Sequence, residues 1–211
     1  MDLSAEPQPF RFLDLPAELR NRIYDLLVVT HKPIKVTSYL QVRTSVYGLS
    51  IKQIEGLRAI TSLVSATLME AAPVLYGSGV FYFTSSDSMR EFLAEIGSMT
   101  RYIRRIRVTA RYSKTYLRSA LHQLKQATSL QTLELEPPHS CTAAQTAILC
   151  EPFLKALLKI EKGKGGTADV AGKIHTFFTR SATTAAGKLE EKKKAREYEA
   201  EFQKEVRKIL A

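Results

Sequence analysis

Cysteine is scarce here: Cys141 and Cys150 are the only two in 211 residues. Two thiols cannot build a disulfide framework. A zinc site needs four ligands, usually with a closely spaced cysteine pair, so His139 beside Cys141 does not complete one. Two reduced thiols and a loop histidine account for these residues, and no metal or cofactor is expected. Long apolar runs are missing too. No stretch approaches the ~20 residues of a membrane-spanning helix. The acidic opening, Met1 to Glu6, lacks the apolar centre of a secretion signal. These absences predict an intracellular protein, of nucleus or cytoplasm, without a membrane partner. "KKKAR" at 192–196 is a weak nuclear-import signal.

Spacings that carry chemistry are also lacking. "GKGGT" does not have the glycine-to-lysine interval that wraps a phosphate. "YGSGVFYF" has no leading basic residue, and Ser78 stands where an RNA-binding strand places its first aromatic. His31, His122 and His175 are scattered with no nucleophile signature nearby, and no carboxylate pair stands out. The expectation is that the chain is not an enzyme.

Acid is absent from Ile96 to Leu133, while the chain as a whole carries a formal charge of +10. That stretch holds Arg101, Arg104, Arg105, Arg107, Arg111, Lys114, Arg118 and Lys125, with Tyr102, Tyr112 and Tyr116 interleaved. A basic patch of Arg101, Arg104, Arg105, Arg107, Arg111, Lys114 and Arg118 is therefore a candidate site for nucleic acid or an acidic protein. A solvated basic face would read the same way.

What is present is ordinary globular material: 45% apolar and 25% charged residues. A chain of this length buries roughly 70% of its unfolded surface without staples. In "FRFLDLPAELRNRIYDLLV", Pro16 suits a first helical turn, where its missing N–H has no partner to lose. Glu18 favours the positive end of the helix dipole. Leu19, Ile23, Leu26 and Leu27 make an apolar stripe, with Arg20, Asn21, Arg22 and Asp25 expected on the other face. Leu57, Ile60, Val64, Leu68, Ala71 and Leu75 step along a second helix, which Pro73 should kink or restart. Between the two, Ile34, Val36, Val42 and Val46 suggest one or two short strands.

"IRRIRV" at 103–108 and "LQTLEL" at 130–135 share one apolar template and lie 27 residues apart, within the leucine-rich period. Leu117, Ala120, Leu121 and Leu124 recur at helical spacing between them. This is a strand–helix–strand unit with the long return that parallel strands require. Phe81–Phe83 would precede it, with Met89, Phe92, Leu93 and Ile96 on its helix; a helix from Ala143 to about Ile160, through Ile148, Leu149, Phe153, Leu154, Leu157 and Leu158, would close the stack. Residues 161–187 read as a flexible linker, from which Ile174, Phe177 and Phe178 could pack back. Lys188 to Leu210 read as a charged helix with a narrow stripe at Ala195, Tyr198, Phe202, Val206, Ile209 and Leu210, suited to a partner helix or to the core.

"LPAELRNRIYDLL" resembles the first helix of an F-box. It is similar in particular to a large fungal family of F-box-like proteins, which read LPxELRxxIY near the N-terminus. That family's second signature is similar to "LVSATLMEAAPVLYGSGVFYF", through Glu70-Ala71, Pro73, Leu75-Tyr76-Gly77 and Phe81. The two blocks, 10–28 and 63–106, cover roughly a third of the chain. Ser65-Ala66-Thr67-Leu68 depart from the polar Arg-Gln pair common in the family.

The resemblance implies a mixed α/β chain. A helical F-box-like part with a short strand insertion would span 10–77. A leucine-rich-like β/α part with a small, mainly parallel sheet would span 78–160, with the linker and the charged helix at 188–211 behind it. It also implies a protein-interaction module, a substrate adaptor of a cullin-type ubiquitin ligase. Leu15, Pro16, Leu19, Ile23 and Leu27 would meet a Skp-type adaptor, and the β/α part would hold a substrate protein. Nucleic acid, or an acidic partner on the basic patch, is the other candidate. A third reading is a structural subunit whose last helix completes a larger complex.

Overall fold

The computed structural model describes residues 12–28, 33–36, 65–109, 114–137, 141–165, 169–178 and 185–211. Among these, the chain is mixed α/β and mostly helical, with six α-helices and one small parallel sheet of five strands. The helices are α1 (Ala17–Val28), α2 (Ser65–Ser78), α3 (Ser86–Ile96), α4 (Lys114–Leu124), α5 (Ala143–Gly163) and α6 (Ala185–Leu210). The strands are β1 (Ile34–Val36), β2 (Val80–Phe83), β3 (Arg105–Thr109), β4 (Thr132–Glu136) and β5 (Ile174–Thr176). Val42, Val46, Leu57, Ile60 and Val64, like His31, Arg111 and His139, lie outside the described residues.

Strand order across the sheet follows chain order, and every neighbouring pair is parallel. The register lines up one apolar row: Ile34, Phe81, Ile106, Leu133 and Ile174. A second row holds Val36, Phe83, Val108, Leu135 and Thr176. Because side chains alternate along a strand, the row between them points the other way: Lys35, Tyr82, Arg107, Glu134 and His175. The 27-residue template offset is the β3–β4 register itself, which pairs Ile106 with Leu133 and Val108 with Leu135.

Neighbouring parallel strands joined in one direction by right-handed crossovers keep their helices on one face. The burial pattern agrees. Both rows, Thr176 apart, join one core with Met89, Leu93, Leu117, Leu121, Phe153 and Leu154 from the helices. Each fully buried Leu or Phe contributes about 1.5–3 kcal/mol relative to an exposed one. The row from Lys35 to His175 is half-buried or exposed. Parallel sheets are usually covered on both faces, so an open face is a feature of this fold among the described residues.

Local signals set the helix starts. Ser85 and Ser88 close a capping box on α3, and Thr142 and Gln145 do so on α5. Gly97 ends α3 at φ +51°, where a side chain would be strained. α2 runs on through Pro73 rather than restarting there, and α5 likewise contains Pro152.

Two segments differ from the sequence expectation. Ile148, expected to help close the stack, is 58% exposed. The buried face of α5 is instead the row of Ala143, Ala147, Cys150, Phe153, Leu154 and Leu157, and Ile148 stands off it. The stretch 161–187 carries more order than its composition suggests. α5 continues to Gly163, and a 3-10 turn at Ala171–Lys173 leads into β5. Among its described residues, Val170, Ala171 and Ile174 are the buried ones, too few to register as a period.

α6 folds onto the core. Phe202 and Val206 are fully buried, and Tyr198, Ile209 and Leu210 pack beside them. The Tyr198 hydroxyl and Thr146 Oγ1 lie 2.7 Å apart, tying α6 to α5. Burial pushes the Tyr198 phenol above its ordinary range, partly offset by the bond to Thr146. α6 also serves the edge of the sheet. Glu199 Oε2 accepts from the Thr176 backbone N–H at 2.6 Å, and Gln203 Nε2 donates to the Ile174 carbonyl. Two backbone groups of the last strand are thereby occupied.

Candidate functional site

The N-terminal helix is held by a three-residue clasp. Arg20 Nε donates to Glu70 Oε2 at 2.8 Å, and Arg20 Nη2 to Glu70 Oε1 at 2.5 Å. Arg20 Nη1 donates to the carbonyls of Leu13 and Leu15, fixing the turn ahead of α1. The Tyr24 hydroxyl reaches the same carboxylate at 3.4 Å, and its ring lies 5.6 Å from that of Phe12. Hydrogen bonding from Arg20 holds the Glu70 carboxyl below its ordinary value, and the same bond raises the guanidinium. Burial is the main cause that raises the Tyr24 phenol. Tyr24 is 1% exposed and packs with Ala71 and Leu75 of α2.

This clasp sets which way α1 faces. The sequence reading put Arg20 on the polar side, but it turns onto α2 with Tyr24, one helical turn on. Both side chains have apolar bodies with polar tips, so their burial does not show in a hydrophobic pattern. Two of its leucines are turned outward. Leu19 is 52% exposed and Leu26 is 80% exposed. Ile23 and Leu15 are half-buried, and Pro16 is exposed. Leu27 lies in α1, with its side chain outside the described ones. Leu26 and Leu13, the latter 47% exposed, extend the apolar surface beyond the expected docking set. The i, i+7 interval from Leu19 to Leu26 was the signal for the first.

The basic run is distributed rather than gathered. The Arg101 guanidinium sits 4.7 Å from the Tyr102 ring centre, with Nη2 donating to the Tyr102 hydroxyl at 2.9 Å. The Arg104 carbonyl accepts from the N–H groups of Gln131 and Thr132, while its side chain lies against Gly77. Arg105 Nη2 donates to the Ser78 carbonyl. Arg107 Nε donates to Glu134 Oε2 at 2.5 Å and stacks 4.7 Å from the Phe177 ring centre. Lys114 and Arg118 are exposed on α4, beyond the opposite end of β3 from Arg105.

Arg107 belongs to a separate surface, the open sheet face. A cavity of about 630 Å³ there is lined by Val80, Tyr82, Arg107, Glu134, Phe177 and Phe178. Tyr82 and Thr109 hydroxyls lie 3.3 Å apart on its wall. Phe178 is pinned edge-on by Tyr198 at 5.2 Å. The groove offers the aromatic faces of Tyr82, Phe177 and Phe178, with the Arg107 guanidinium and the Glu134 carboxylate on neighbouring strands. Sequence spacing did not reveal it, because its aromatics come from β2 and the segment after β5.

Cys141 and Cys150 are both buried and unpaired. Burial pushes the Cys150 thiol up to about 12. His122 and His175 are exposed, the latter 3.4 Å from Glu199. No helix among the described residues is long and apolar enough to cross a membrane. No protein-family model matches the chain, and no curated protein or solved structure matches it either.

Proposed function

We propose that the chain is a non-enzymatic protein-interaction module, an F-box-like substrate adaptor whose α1 docks a Skp-type component of a cullin ubiquitin ligase. The observation that carries this reading is the orientation of α1. Its Arg20–Tyr24 side is spent on Glu70, while Leu19 and Leu26 face outward. A helix that served only the core would turn its leucines in, since each apolar Å² removed from water is worth about 25 cal/mol. Turned out beside Leu13 and Pro16, they form an apolar patch of the kind that marks a protein partner.

The resemblance to fungal F-box-like proteins supplies the partner class. The substrate would lie on the open sheet face, across Tyr82, Arg107 and Phe177. The sequential parallel order and the 27-residue register support reading the β/α units as a short leucine-rich-like stack, which presents one sheet face to ligands. A nucleic-acid role draws less support, because Arg101, Arg105 and Arg107 are each engaged within the chain. A structural-subunit role through the last helix draws little, because Phe202 and Val206 are spent on this chain's own core.

The test is co-purification of the full chain with a Skp-type adaptor. Binding should be lost in a Leu19→Asp, Leu26→Asp variant whose circular dichroism is unchanged. Absence of any complex at roughly 10 μM of both proteins would remove the proposal.

A further inference from the structure

We infer that the groove between α4 and α5 is a second docking surface, which takes an acidic amphipathic helix of a partner protein. The inference stands whether or not α1 binds an adaptor. A cavity of about 140 Å³ opens between these helices, floored by Leu121, Leu149 and Phe153 and rimmed by Arg118, His122 and Lys125. A cavity of roughly 150 Å³ accommodates a benzene-sized group, so this one has room for a single apolar side chain.

The rim is made of donors. Lys125 Nζ lies 3.3 Å from His122 Nδ1. An ammonium has only protons to offer, so it donates to that nitrogen and leaves the ring's Nε2 as an N–H donor. Arg118 has five N–H groups and no carboxylate partner among the described residues. α4 contains no acidic residue. α5 contains two, and both are engaged: Glu151 bonds Lys155 at 2.7 Å, and Glu161 bonds Lys164 at 2.8 Å and Lys173 at 3.1 Å. Further along the outer side of α5, Lys159 and Lys162 are exposed.

The apolar part of the surface distinguishes the occupant. Ile148 is 58% exposed and Pro152 is exposed beside the cavity, so an apolar strip runs along α5 within the cationic border. A phosphate backbone gains nothing from Leu121, Leu149 or Phe153. A helix with leucine or phenylalanine as its anchor, and glutamates three or four positions away, satisfies the floor and the rim together.

The probe is a fluorescein-labelled helical peptide of about 15 residues, glutamate-rich with leucines at i, i+4 spacing, titrated against the full chain by anisotropy. Saturable binding is expected, weakened roughly tenfold or more by Arg118→Glu with Lys125→Glu and clearly weakened by Ile148→Glu. Lys192→Glu with Lys193→Glu, the same change in net charge placed on exposed residues of α6, should leave affinity within about twofold. So should Leu19→Asp with Leu26→Asp, which separates this proposal from the adaptor reading. The proposal is overturned if the peptide shows no saturable binding up to about 1 mM. It is also overturned if the groove variants lose no more than the α6 control, or if a single-stranded oligonucleotide or anionic vesicles bind the groove more tightly than the peptide.

Discussion

Arg20 donates to both carboxylate oxygens of Glu70 across fifty residues of sequence, with Nε–Oε2 at 2.8 Å and Nη2–Oε1 at 2.5 Å. The pair joins the two sequence blocks on which the family resemblance rests, LPAELRNRIY and EAAPVLYG. It also gives acid sensitivity a definite sign. The bond from Arg20 depresses the Glu70 carboxyl below 4.5 in the folded chain. Stability from this group is therefore fully present above its unfolded value and is lost as pH falls through the folded one. Protection factors of α1 amides, which are normalised to the intrinsic exchange rate at each pH, should fall on acidification below about pH 4.5, and Arg20→Ala should remove most of that dependence. An equally steep acid response in Arg20→Ala would assign the sensitivity elsewhere.

Tyr24 supplies the apolar half of the clasp. Its ring is fully covered by Phe12, Ala71 and Leu75, whereas its hydroxyl bond to Glu70 is long at 3.4 Å. Tyr24→Ala should destabilise α1 by about 3 kcal/mol through lost packing. Tyr24→Phe should cost only about 0.5 kcal/mol, since one marginal hydrogen bond is removed. Protection factors of α1 amides report both, and equal costs for the two variants would contradict the packing account.

α6 is part of the core rather than an arm. Phe202→Ala should cost about 3–5 kcal/mol in urea unfolding of the whole chain. Glu199→Ala should cost less but release the Thr176 N–H at the sheet edge, which Glu199 accepts at 2.6 Å. An unpaired edge is a template for pairing with another chain, so light scattering should rise in Glu199→Ala at concentrations where the parent is monomeric. Deleting residues 186–211 should give an insoluble product; a soluble, folded remainder would show that α6 is dispensable.

Much of the architecture could be read from periodicity, because most of its apolar residues follow one period at a time. Phe81, Phe83, Ile106, Val108, Leu133 and Leu135 alternate as strand residues should, and all line the core. The α6 stripe was equally clear from Phe202 and Val206. Periodicity cannot see a buried ion pair, so Arg20 was placed on the wrong side of α1, although the resemblance had already singled out both of its motif blocks. It also cannot see a strand of three residues such as β5, whose order depends on Leu133 and Leu135 next to it and on Glu199 and Gln203 from α6. The sheet-face groove escaped for a related reason: Tyr82, Arg107, Glu134 and Phe177 are brought together by register and not by spacing. Charge along the chain gave the basic run without its arrangement: Arg105 and Arg107 fall on β3, and Lys114 and Arg118 on α4 beyond its other end.

The two thiols make the last prediction. Cys150 is fully buried among α5 core residues, and Cys141 is 8% exposed. The nucleophile is the thiolate. Burial pushes the Cys150 thiol up to about 12, so its thiolate is nearly absent at neutral pH while the chain is folded. Iodoacetamide at pH 8 should leave Cys150 unmodified in the native protein and label it on unfolding. Labelling should therefore follow the global unfolding equilibrium, accelerating in Phe202→Ala in proportion to its lost stability. Tyr24→Ala, which loosens only the clasp of α1 on α2, should leave the rate at Cys150 unchanged. Peptide mass spectrometry after timed quenching measures both rates. Rapid native labelling of Cys150 would mean that the core around α5 opens independently of α6, and acceleration by Tyr24→Ala equal to that by Phe202→Ala would mean that the clasp of α1 unfolds as one unit with that core.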